Sequence, residues 1–198
     1  MKNNEIEEPY QEYYTEKRWN NWIEKVKESG FEFKDDDEYD EDSNGCKVFV
    51  HMEDDVIISC LKAVLEFKKG VFSSEEALDK LADIREIVFK EIEPISEDID
   101  LMLESLRTSF ESIFASCECY LQDAYDKDAN LKDLLKSATD AEEKEDFETS
   151  LQKVSEIGAS IINGSTLSKA ASKKLSYGSV MEWVEGIESM QISVKRMC

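Results

Sequence analysis

The sequence predicts an all-α protein: a helical bundle built on a central helical hairpin, with a minor β-hairpin near residues 31–51. Three observations carry this. Apolar residues recur at helical spacing through most of the 198 positions, Ser or Thr followed three residues later by Glu marks several starts, and only two prolines and seven glycines interrupt. Three segments are expected: 1–12 as a disordered arm, 13–126 as the helical core domain, and 127–198 as a helical extension packing on the core or on a partner.

The first helix starts at Thr15, because Trp19, Trp22, Ile23 and Val26 share one face and Gly30 can close it. Its two tryptophans can dock onto the chain's own core or anchor a partner. Residues 32–45 follow as an acidic loop, in which Asp40-x-Asp42-x-Asn44-Gly45 reproduces the first half of a calcium loop. The second half departs from it: Lys47 stands where an apolar residue belongs and His51 where a bidentate carboxylate belongs. Cys46 to Met52 alternates and is rich in β-branched residues, so it is expected to pair with Phe31-Glu-Phe33 as a hairpin.

The central hairpin runs from Asp54 to Ile92. Its first helix is apolar except for a stripe of Ser59, Lys62, Glu66 and Lys69, so it is expected to be largely buried. Gly70 ends it, and Ser73 with Glu76 forms a capping box that opens the second. Pro94 stops that helix, and Ser96 caps a long one carrying Ile99, Leu103, Leu106, Phe110, Ile113, Phe114 and Cys117. Glu104, Glu111 and Glu118 lie at seven-residue intervals on it and read as a solvated row.

Here the chain resembles a known family. Tyr14-Thr-Glu-Lys-Arg-Trp19-Asn-Asn-Trp22, Glu53-Asp-Asp-Val-Ile-Ile-Ser-Cys-Leu-Lys62 and Leu81-Ala-Asp-Ile-Arg-Glu-Ile-Val88 are similar to small acidic archaeal proteins of methanogens and halophiles classed as a domain of unknown function. The resemblance covers roughly residues 12–125 and implies an archaeal cytosol. It implies no activity, substrate or catalytic residue.

Past Tyr125, Leu131, Leu134 and Leu135 give a short helix, Thr139 and Glu142 a second capping box, and Phe147 to Ile161 a further helix ending at Asn163-Gly164. Ser179 and Glu182 form a third box, opening a last helix with Trp183, Val184, Ile187 and Met190 along one side. Six basic and four acidic residues fall between Leu151 and Cys198, leaving −24 on the first 150 residues. Lys169, Lys173, Lys174, Lys195 and Arg196 are therefore a counter-face to the acidic body or a contact for an acidic or phosphate-bearing partner.

The formal charge of −22 opposes non-specific binding to nucleic acid or anionic membrane. No apolar run is long enough to span a membrane, and a cytoplasmic protein is expected. The five cysteines are expected to be reduced; Cys117 and Cys119 point apart on their helix and make poor joint metal ligands. His51 is the only histidine and no nucleophile motif accompanies it. No cofactor is expected. The leading expectation is a non-catalytic helical adapter acting through protein–protein contact or self-association at Trp19 and Trp22, or at the helix of Trp183. The alternatives are a calcium-responsive protein using Asp40, Asp42 and Asn44, and an RNA-associated factor using Lys169, Lys173 and Lys174.

Overall fold

The structure, a computed structural model, describes residues 13–33, 44–168 and 171–197. Among the described residues seven α-helices succeed one another: α1 (Glu16–Glu28), α2 (Asn44–Lys68), α3 (Ser74–Val88), α4 (Glu97–Leu121), α5 (Leu131–Glu142), α6 (Phe147–Ile162) and α7 (Ser179–Met197), with a one-turn 3-10 helix at Ser172–Lys174. The fold is all-α. The hairpin is α2 and α3, joined through Gly70 in the left-handed region, and Ser73 and Glu76 form the reciprocal capping box.

Among the described residues there is no strand. Cys46 to Met52, expected as extended chain, is instead the first part of α2. The deciding feature is which residues can be buried together: Cys46, Phe49, Met52 and Val56 recur at helical spacing and pack inside, while Val50, inward in a strand reading, is exposed. The expected arm lies outside the described residues.

α4 is the middle of the bundle, packed by α2 and α3 on one side and by α6 and α7 on the other; α1 lies on α2 and α3, and α5 on α6 and α7. A single apolar cluster runs from Trp19 through Met52, Ile57, Phe110 and Phe114 to Ile157, Ile187 and Met190. The segment expected as an extension therefore contributes to the same core. What lets α6 and α7 come so close is a run of small buried residues on α4: Ser109, Ser112 and Ser116. Gly158 of α6 lies where a Cβ would stand 2.0 Å from Ser116 Oγ and 2.4 Å from its Cβ. Gly186 of α7 lies where a Cβ would stand 3.0 Å from the Cβ and carbonyl oxygen of Ser109. The Ser112 hydroxyl is within donating distance of Ser109 O (2.8 Å) and of Trp183 O on α7 (2.9 Å), so the seam keeps its polar atoms satisfied.

Two of the expected caps fall elsewhere. Thr139 stays inside α5, its hydroxyl donating to Lys136 O, and the break comes at Glu145, in the left-handed region, after which Asp146 caps α6 through Thr149 N. Ser179 is the first residue of α7 rather than its cap. Glu142 Oε1 of α5 accepts from Val180 N (2.9 Å) across the bundle, in a space that a Cβ on Gly178 would fill.

The Ser116–Gly158 crossing predicts that Gly158→Ala lowers stability by about 1–3 kcal/mol in urea unfolding, and that adding Ser116→Gly recovers part of the loss.

Candidate functional site

The three tryptophans proposed as anchors are engaged within the chain. Trp19 is 3% exposed and meets Phe110 edge-on at 6.5 Å. Trp183 is 5% exposed, with Nε1 donating to Glu111 Oε2 at 3.4 Å. Trp22 is half-buried, donates from Nε1 to Asp55 Oδ2 at 2.7 Å and carries Lys25 Nζ 4.1 Å over its ring. The same carboxylate takes Arg18 in bidentate fashion, from Nε at 2.8 Å and from Nη2. Arg18 also covers the buried ring of Tyr14, whose hydroxyl pKa burial pushes well up. Asp55 on α2 thus fastens α1 to the bundle, and helical spacing could not distinguish this inward use of the tryptophans from an outward one.

The carboxylate row on α4 also divides. Glu118 pairs with Arg85 of α3 at 2.9 Å, Glu111 takes Trp183, and Glu104 remains exposed. Burial raises the Glu118 pKa, with Arg85 opposing it. Lys173 and Lys174 are exposed on the 3-10 turn, Lys169 lies outside the described residues, and Arg196 Nη1 lies 3.8 Å from Asp54 Oδ2. Asp40 and Asp42 also lie outside the described residues. Gly45, which would make the sharp turn of a calcium loop, sits in the first turn of α2, with Asn44 as the helix's first residue. Among the described residues no three metal-ligating side chains gather. Cys60 and Cys117 are buried thiols whose pKa values burial drives up, to about 12 for Cys117, which leaves them unreactive.

Surface clefts among the described residues include two of several hundred cubic ångströms. One, of about 310 Å³, lies between α1 and the turn after α3, with Trp19, Ile23 and Ile87 as floor and a mixed rim of Glu16, Glu24, Lys27 and Lys90. The larger, of about 510 Å³, runs between the N-terminal halves of α4 and α7. Its apolar members are Phe33, Leu101, Met102, Tyr177 and Met181, and the charged ones are Glu104, Glu182 and Glu185. Three of these apolar side chains are unusually open: Phe33 at 47%, Leu101 at 51% and Tyr177 at 85%. The sequence signal for this groove was weak, since Leu101 and Met181 fall just off the inward stripes of their helices.

Next to the groove, α7 meets α2 at a crowded set of acids. Glu53 is half-buried there; burial pushes its pKa up to about 7, with Asp54 and Glu185 adding to the rise and a hydrogen bond with Ser189 opposing it. Burial, then Glu182 and Glu188, likewise raises Glu185.

A family model described as an uncharacterized protein conserved in archaea (DUF2150) matches residues 12–197. The match takes in α5, α6 and α7 as well as the segments that carried the sequence resemblance. No curated protein and no solved structure matches the chain. Among the described residues, no helix is long and apolar enough to cross a membrane.

Asp55→Ala removes three hydrogen bonds between α1 and α2. Because Arg18 is only partly buried, the expected cost is about 1–2 kcal/mol, seen as faster amide exchange in α1 than in α4. For Glu53, the folded pKa exceeds the unfolded one, so the folded state holds the extra proton. There is no penalty below about pH 4.5, it grows as pH rises to about 7, and it is complete above. Glu53→Gln is expected to raise stability by about 1–3 kcal/mol at pH 8, with little effect at pH 4, in urea titrations at both pH values.

Proposed function

Because the chain belongs to this uncharacterised archaeal family, we propose that it is a non-catalytic cytoplasmic adapter or regulatory protein that acts by binding another protein in the groove between α4 and α7. The observation that supports this reading is the cluster of exposed apolar side chains, Phe33, Leu101 and Tyr177, around a concave surface with methionines in its lining. Methionine is unbranched and adapts to differently shaped partners. Elsewhere the large apolar side chains that stand open, such as Val71 and Phe147, do not line this cleft or the other.

The buried tryptophans redirect the adapter reading from α1 to this groove. A partner reaching Trp19 or Trp183 would have to unpack the core, whereas one reaching Leu101 and Tyr177 displaces only water.

A photocrosslinking residue at Leu101, expressed in archaeal cells, is expected to give a discrete adduct with another protein. The same residue at Val71, on the turn between α2 and α3, is expected to give none. Adducts at both positions, or at neither, would count against the groove.

A further inference from the structure

We infer that the partner held in the α4–α7 groove is a lysine- or arginine-rich amphipathic protein segment, its apolar face on Leu101, Met102, Met181 and Tyr177 and its basic side chains against Glu104, Glu182 and Glu185. This rests on the groove being a binding surface. The charge argument comes first. All charged residues lining the groove are acidic, and no basic residue lines it among the described residues. The chain has 24 lysines and arginines, yet none of those among the described residues lines the rim.

The groove is ordered at one edge. The Tyr177 hydroxyl lies 3.4 Å from Glu182 Oε1, a long contact on an exposed ring. The Phe33 backbone N–H donates to Asp98 Oδ2 at 2.8 Å, and its ring rests edge-on against Phe31 at 5.1 Å. A surface ordered before the partner arrives loses less entropy on binding. From Leu101 to Thr108 the α4 wall is about 10 Å long, two turns of helix. That matches the spacing of anchors at i, i+3 or i+4 and i+7 on a helix laid in a groove.

Other occupants fit worse. Nucleic acid and anionic membrane are repelled by the rim. A second copy would bring another −22 of charge, and residues 34–43, adjoining Phe33, hold seven acids against one lysine.

The test uses the whole chain and a synthetic peptide of about 18 residues, long enough for five helical turns, with leucine and phenylalanine on one face and lysine on the other. Calorimetry is expected to show one saturable site. Glu104→Gln, Glu182→Gln and Glu185→Gln together are expected to weaken it at least about tenfold, as are Leu101→Ser with Met181→Ser. A triple change of equal charge away from the groove, Glu28→Gln, Glu86→Gln and Glu143→Gln, is expected to leave it within about twofold, with thermal melts confirming that every variant folds. Three results would overturn the inference: equal weakening by both triples, equal binding of a peptide with glutamate for each lysine, or a dimer in sedimentation that Leu101→Ser dissolves. A negative peptide result with a positive crosslink at Leu101 removes only the basic partner. A silent Leu101 removes the groove itself.

Discussion

The bundle depends on how closely α6 and α7 approach α4. Gly158 against Ser116 and Gly186 against Ser109 bring backbones to within the space of a missing methyl group, and nothing larger fits at either crossing. Serine suits such a seam because its hydroxyl can return a hydrogen bond to its own helix, as Ser116 does to Ser112 O, or reach the neighbour, as Ser112 does toward Trp183 O. Glycine in mid-helix costs about 1 kcal/mol in propensity, which two closely packed interfaces recover through contact.

That seam also sets the position of the groove. Of the residues lining it on α4, Ser105 and Thr108 sit beside Ser109, and those on α7, Met181, Glu182 and Glu185, flank Trp183 and Gly186. The two walls are therefore held by close packing at Ser109 and Gly186, while Leu101 and Tyr177 at their outer edges stay open to water. The near end of α7 is fixed a second time, by the Glu142 carboxylate, which accepts from the Val180 backbone N–H.

Carboxylates serve two purposes in this acidic chain. Asp55, Glu118 and Glu142 each join two helices, taking Arg18 and Trp22, Arg85, and the α7 N-terminus respectively. Glu104, Glu182 and Glu185 join nothing of comparable strength and face an apolar groove. Near them burial raises the pKa of Glu53, and the neighbouring carboxylates Asp54 and Glu185 add to the rise.

Local sequence determined the helices and most of their limits. Ser73 with Glu76 and Ser96 cap where the sequence placed them, because a cap is settled within four residues. Periodicity also predicted the all-α class and the inward residues of α4. It failed at Cys46 to Met52, where alternation and helical spacing coexist in one short run; the cap signatures failed at Thr139, whose hydroxyl returns to its own helix at Lys136 O, and at Ser179, where Glu142 caps the helix from across the bundle. Only the tertiary structure decided that Trp19 and Trp183 face inward, that three serines and two glycines form the central seam, and that Leu101, Tyr177 and three glutamates share one groove. Spacing along a helix tells which residues lie side by side on it. Which other helix they meet depends on contacts between residues tens of positions apart, and those exist only once the chain has folded.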